Sequence, residues 1–215
     1  MLSYEHQAQA DGFRFIVGID EAGRGPLAGP VVASAVCLKT LDFDSTINDS
    51  KKMTPRARER AFHEIFDKAY VGIGIMNETA IDELNILNAA HRAMEAAVLA
   101  LMHYLPGDIT LAPDFKSQVL LLVDGNCFRA QLPFRHQTII GGDGKSLSIA
   151  CASIVAKVYR DRVMQGYDRV FPQYGFGQHK GYPTAAHSQA IRQHGPSIIH
   201  RRSFRLSESV AKLVR

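Results

Sequence analysis

The sequence has little cysteine, no long apolar run and almost no charge imbalance, and each shortage removes a class of protein. Its three cysteines, Cys37, Cys127 and Cys151, are far apart and without CxxC spacing, which leaves neither a disulfide framework nor a zinc site supported. They read as reduced, mostly buried thiols. No stretch approaches the roughly 18 consecutive apolar residues that span a bilayer, and the opening segment MLSYEHQAQADGFR has no apolar signal core. The expectation is a cytoplasmic protein that is neither secreted nor inserted in a membrane. No repeat, low-complexity segment or interdomain linker interrupts the 215 residues, a length that suits one enzyme-sized domain.

Lysine and arginine exceed aspartate and glutamate by only four, 25 against 21, yet the pI is about 9.0. The basic residues also cluster, at Lys51, Lys52, Arg56, Arg58 and Arg60, at Arg160, Arg162 and Arg169, and at Arg201, Arg202 and Arg205. A polyanionic partner is favoured, although such clusters are more often a solvated face.

Periodicity supplies the elements. FRFIVGI (13–19) and PVVASAVCL (30–38) are short and apolar, as buried strands are, and the glycines and prolines between them predict a hairpin. Thr54-Pro55 opens a helix over 54–69 with arginines on its outer face; AYVGIGIM (69–76) is a third strand, and 79–104 reads as one long helix ended by Pro106-Gly107. QVLLLVD (118–124) predicts a central strand, HQTII (136–140) a further short one, and 146–164 a helix of small residues that turns basic. Strands first and then strand–helix alternation predict a mixed α/β sheet with helices packed against it.

Acids stand at the strand ends. Asp20 and Glu21 precede AGRGP, Asp124 closes LLLV, and Asp143 follows IIGG. Any one of them alone is more often a helix cap or a solvated loop residue. Four that converge would repel one another unless a cation compensates, and an all-oxygen set suits Mg²⁺ or Mn²⁺ and phosphoryl transfer. Neighbours on a regular strand point to opposite faces, so Asp20 and Glu21 reach one site only where the strand relaxes. GGDGKS ends like a phosphate-binding P-loop, but Ile139 stands where that motif needs glycine. The GRG turn at 23–25 offers close backbone approach and a guanidinium, and FGQHKGYPTAAH (176–187) gathers His179, Lys180, Tyr182 and His187. By themselves the first reads as a tight turn and the second as a solvated loop.

Together these segments resemble one family, bacterial ribonuclease HII, the type 2 ribonucleases H. The matching stretches are GIDEAGRGPLAGPVVASAV, DSKKMTPRARE, IDELNILNAAHRAM, LLVDGN, GGDGKSLSIACASIVAKVYRDRVM and YGFGQHKGYPTAAHSQAIRQHGPSIIHRRSF, in family order. The resemblance implies an α/β, ribonuclease H-like mixed sheet flanked by helices with a helical C-terminal part. It implies a catalytic domain over 14–206 with short extensions at 1–13 and 207–215, dependence on Mn²⁺ or Mg²⁺, and a monomer acting on RNA–DNA hybrids and on ribonucleotide-containing duplex DNA. Carried over, Asp20, Glu21, Asp124 and Asp143 are the catalytic and metal-binding acids; Asp161 competes for the last place but falls deep in a helix, where it reads as an ion-pairing partner of the neighbouring arginines. Gly23, Arg24, Gly25 and Tyr182 read the ribonucleotide through its 2′-hydroxyl, and Lys51, Lys52, Asn85, Asn88 and Lys180 contact the substrate. The implied reaction is in-line attack by water 5′ to the ribonucleotide, leaving a 3′-hydroxyl and a 5′-phosphate.

Cys151 departs from the alanine usual in its helix and predicts some sensitivity to oxidants. The tail LSESVAKLVR offers no clear clamp-binding peptide, and no extra N-terminal domain suggests the type 3 enzymes. A binding module that has lost cleavage is disfavoured by the presence of all four acids, and a type 1 ribonuclease H or an integrase-like enzyme by the GRG turn.

Overall fold

In the computed structural model, strands β1 (Phe15–Ala22), β2 (Val31–Leu38), β3 (Ala69–Met76), β4 (Val119–Asp124) and β5 (Arg135–Ile139) form one sheet, ordered β3-β2-β1-β4-β5. The structure describes residues 1–204, without the side chains of residues 108 and 109. Arg205 and the tail LSESVAKLVR lie outside the described residues. β1 pairs antiparallel with β2, which pairs antiparallel with β3, whereas β1, β4 and β5 run parallel. The predicted hairpin is therefore present, and the third strand has the predicted bounds.

Val119, Leu121, Leu122 and Val123 of β4 are fully buried. Helices cover both faces, as a parallel strand pair requires, and each such side chain contributes about 1.5–3 kcal/mol of burial. Odd-numbered residues of β1 and β4, such as Val17, Ile19 and Leu121, pack with α4 (Ile86–Tyr104). Even-numbered Ile16, Leu120 and Leu122 pack with Ile149 of α6 (Leu147–Val170). Gly18 lets α6 start against β1, since a Cβ there would stand 2.1 Å from the Ser148 carbonyl carbon.

α2 (Pro55–Lys68) begins as predicted, with the Thr54 hydroxyl accepting from Ala57 N and proline in the first turn. The predicted helix over 79–104 is instead two, α3 (Glu78–Leu84) and α4. Asn85 between them has φ 64°, and its side chain accepts from Leu87 N and Asn88 N, so it ends one helix and caps the next. α5 (Gly107–Thr110) is a single turn.

Residues 1–13 contain α1 (Ser3–Ala10), which is docked on the α6 face of the sheet. Glu5 is buried there and its Oε1 accepts from Ser146 Oγ (2.6 Å), Ser148 N (3.0 Å) and Ser148 Oγ (2.9 Å) at the start of α6. The helical C-terminal part comprises α7 (Phe176–His179) and α8 (Ala185–His194), with Tyr174, Phe176, Ala190 and Ile199 packed on Met164 and Ala28. Cys151 is fully buried in α6, and burial pushes its thiol well above the usual range. A protonated, inaccessible thiol is unreactive, so the predicted oxidant sensitivity does not follow from this site.

Candidate active site

The β1–β4 register, Ile19 opposite Val123, brings Asp20 and Asp124 to the same edge of the sheet. Strand alternation sets both on the α6 face; Glu21 follows on the opposite pleat, but at the end of β1 it stays close enough that its charge raises Asp20 and Asp124 raises it in turn. Asp20 is 6% exposed; its Oδ1 accepts from Glu21 N at 2.7 Å, and the Ser153 hydroxyl of α6 also bonds it. Ser153 is in turn bonded to Ser50 Oγ at 2.9 Å. Asp124 Oδ1 accepts from Gly142 N at 2.7 Å, which fixes the short turn Gly142–Gly144 carrying Asp143. Glu21 Oε1 pairs with Arg24 Nη1 at 3.2 Å.

Burial, then the charges of Glu21 and Asp124, hold Asp20 well above the usual carboxylate range. Burial also raises Glu21, against the opposing pull of Arg24, and Asp124 adds to the rise. Asp143 is raised by burial, by Asp49 and by Asp124, while Lys51 lowers it. The four acids thus form one electrostatic group, with no histidine or cysteine among the groups that raise Asp20, Glu21 and Asp143. Among the described residues, no three such side chains are drawn together as ready-made ligands of one ion; the acids are bonded instead to protein donors. Asp20, Glu21 and Asp143, with raised proton affinity, and the neighbouring charge of Asp124 still form the donor set that a hard divalent cation relieves.

The GRG turn lies beside this group and is built from beneath by two buried arginines. Arg201, 2% exposed, donates to Gly23 O (2.6 Å), Arg24 O (3.1 Å) and Gly29 O (2.9 Å). Arg160, 1% exposed, donates to Ala28 O, Pro30 O and Lys180 O. Gly23 has φ 101°, and a Cβ on it would meet Arg160 Nε at 2.2 Å; only glycine fits. Leu27 N donates to Gly181 O at 2.8 Å, tying the segment after the turn to the loop of Tyr182. The half-exposed Tyr182 ring stands 3.6 Å from where a Gly25 Cβ would be.

A family model described as Ribonuclease HII matches residues 17–207. The chain is 48% identical over 205 residues to the ribonuclease HII of Acetivibrio thermocellus, covering 95% of this chain and 75% of that one. The chain belongs to the ribonuclease HII family. Membership makes it a ribonuclease H, a divalent-metal-dependent endonuclease acting on RNA paired with DNA. The fold is also that of the ribonuclease H2 of Pyrococcus horikoshii OT3 (TM-score 0.66, 22% identity, 94% of this chain and 99% of that one). It is shared as well with a Bst-RNase HIII solved in complex with Mn²⁺ (TM-score 0.65, 14% identity, 97% and 72%).

Within this ribonuclease HII fold the other predicted substrate residues have diverse placements. Lys51 and Lys52 are exposed on the turn before α2; Lys51 N donates to Asp49 Oδ1 at 2.9 Å, and Lys52 Nζ lies 3.6 Å from Asp49 Oδ2. Asn85 Oδ1 caps α4, and Asn88 Nδ2 donates to Leu84 O at 3.1 Å, so both amides serve the helix junction. Lys180 has φ 53° and its ammonium bonds Gly177 O. Asp161 pairs with Lys157 at 2.6 Å rather than with the arginines around it, and Asp143, not Asp161, is in the electrostatic group.

Several residues of this site were not singled out in the sequence. Asp49, Ser50 and Ser153 touch or influence the acids. Arg160 and Arg201, grouped by sequence with a polyanion-facing surface, are buried supports of the turn. Nothing in their spacing marks them as buried; the signal is the approach of two distant glycine-rich segments, whose carbonyl groups need donors.

Proposed function

We propose that this chain hydrolyses RNA in RNA–DNA hybrids and cuts duplex DNA on the 5′ side of single embedded ribonucleotides, leaving a 3′-hydroxyl and a 5′-phosphate. Its setting would be ribonucleotide removal during replication and repair in the cytoplasm. The observation that carries this reading is the apposition of Tyr182 to Gly25 beside the acid group. A lone ribonucleotide differs from its neighbours by one 2′-hydroxyl, so helix shape alone does not find it; backbone groups on a side-chain-free turn can bond that hydroxyl closely. The half-exposed Tyr182 ring offers an apolar face for the adjoining sugar or base.

Asp20, Glu21, Asp124 and Asp143 would hold Mg²⁺ or Mn²⁺, which supplies Lewis acidity and makes water a competent nucleophile at neutral pH. The 2′-hydroxyl is then a recognition element and not the attacking group. Ser153 orients Asp20, Gly142 N orients Asp124, and the Lys51 charge offsets that of Asp143. Arg24, with 54% of its side chain exposed, is placed for a backbone phosphate, and Lys51, Lys52, Asn85, Asn88 and Lys180 are proposed to line the duplex path.

The test is cleavage of an end-labelled DNA duplex with one ribonucleotide, in Mg²⁺, Mn²⁺ or EDTA, with the cut mapped to the nucleotide. A metal-dependent cut on the 5′ side is expected. Digestion of a long hybrid without that cut would reduce the function to hybrid hydrolysis.

A further inference from the structure

Three imidazoles lie beneath the Tyr182 loop, outside the acid group, and all of their ring nitrogens are engaged. His187 Nδ1 lies 2.9 Å from Tyr182 O, and its Nε2 lies 3.0 Å from His200 Nε2. His200 Nδ1 is 2.8 Å from both Ser197 N and Ser197 Oγ. His179 Nε2 is 2.8 Å from Tyr174 O, and its Nδ1 accepts from Gly181 N at 3.2 Å. The His179 and His187 rings stack with centroids 4.3 Å apart.

These partners determine every proton. A carbonyl accepts only, so His187 carries its proton on Nδ1; an amide N–H donates, so His200 Nδ1 is bare and its proton is on Nε2. His200 Nε2–H then donates to the bare His187 Nε2. The result is a directional chain, Ser197 N–H to His200, His200 to His187, and His187 Nδ1–H to Tyr182 O. His179, with its proton on Nε2, fixes the adjoining peptide at Gly181.

We propose that His187 and His200 are positioning residues for ribonucleotide recognition: their relay holds the Tyr182 peptide, and through it the exposed ring, in register with Gly25. The inference rests on the reading of Tyr182 as a ribonucleotide reader. Packing alone would not require this arrangement. His187 is fully buried among the rings of Phe176, His179 and His200, where an apolar side chain of similar volume would avoid burying polar nitrogens. The ring it serves stands 41% exposed at the surface.

Asparagine at 187 keeps a donor where Nδ1–H is, whereas glutamine places its amide where Nε2 is and loses the bond to Tyr182 O. His187→Gln is expected to lower kcat/KM for a single-ribonucleotide duplex roughly tenfold, and His187→Asn to restore most of it. In a Tyr182→Ala background His187→Gln is expected to add no further loss. Equal losses in both backgrounds would overturn the relay alone; a Tyr182→Ala variant that cuts at the parental rate would overturn the reading of Tyr182 and the relay with it. If position 187 does not tolerate change, His200→Asn, which keeps an acceptor toward Ser197 but loses the donor to His187 Nε2, is tested by the same cycle. Long-range proton–nitrogen NMR of the parent protein gives an independent readout. His187 is expected as the Nδ1–H tautomer and His200 as Nε2–H, and the reverse assignment would overturn the proposal.

Discussion

Asp124 Oδ1 accepts a 2.7 Å hydrogen bond from Gly142 N, so one acid of the group anchors the turn that carries another. Asparagine at 124 retains an oxygen for that bond but loses the charge. Asp124→Asn is therefore expected to fold normally and bind duplex DNA at close to parental affinity, while cleavage falls by at least about 100-fold. Fluorescence anisotropy on a ribonucleotide-containing duplex, alongside single-turnover cleavage, checks both halves; strong residual turnover removes Asp124 from the proposed metal-binding acids.

The two glycines of the GRG turn are expected to fail differently. Gly23→Ala places a Cβ 2.2 Å from Arg160 Nε in a left-handed backbone conformation, so the folded state loses about 2 kcal/mol or more. Gly25→Ala meets Tyr182 Cε1 only at 3.6 Å, an ordinary contact, and stability stays near parental while single-ribonucleotide cleavage drops. Thermal unfolding together with cleavage separates them, and a destabilised Gly25→Ala with normal cleavage contradicts this account.

Glu5 joins α1 to the start of α6 through three hydrogen bonds to one carboxylate oxygen. Glu5→Ala leaves Ser146 and Ser148 groups unpaired in a buried site and is expected to cost about 3 kcal/mol. Glu5→Gln, which keeps the accepting oxygen, is expected to cost about 1 kcal/mol. Urea unfolding gives both values, and an alanine variant as stable as the parent would show that α1 is dispensable to the domain.

The buried histidines predict the acid limb of stability. Burial lowers His179 and His200, and takes His187 from the ordinary 6.5 to about 4. Between those values the unfolded chain binds more protons than the folded one. Their contribution is complete above pH 6.5 and is lost as the pH falls toward about 4. Asp20 and Glu21, raised in the folded state, act in the opposite direction, so the parent is compared with His187→Asn across a pH series. The variant is expected to lose less stability on acidification; identical slopes would mean that His187 does not titrate between the two states.

Much of this architecture was legible because its signals are local. AYVGIGIM is an apolar β-branched run bounded by a helix end and a polar cap, and it folds as β3 with those bounds. The acids were legible only as a set, because one alone after an apolar strand reads as a helix cap or a solvated loop residue, whereas several brought to one sheet edge repel one another. The break at Asn85 was not, since the apolar periodicity continues across it and only a left-handed φ interrupts the helix. Nor was the docking of α1, whose buried partner Ser146 is 141 residues away. Arg160 and Arg201 look like surface charge in a sequence, because burial of a guanidinium depends on carbonyl groups that tertiary contacts bring together. The histidine relay has the same origin: its members come from three segments, and their tautomers exist only in the folded arrangement.

The Arg201 guanidinium reaches back 178 residues to Gly23 O, and this sets an order of events during synthesis. A chain emerging from the ribosome amino end first can pair β1, β2 and β4 and gather the acid group well before residue 201 is available. The GRG turn acquires this support only once residue 201 has emerged. A chain halted before Arg201 would have its acids assembled while the GRG turn still lacked that support.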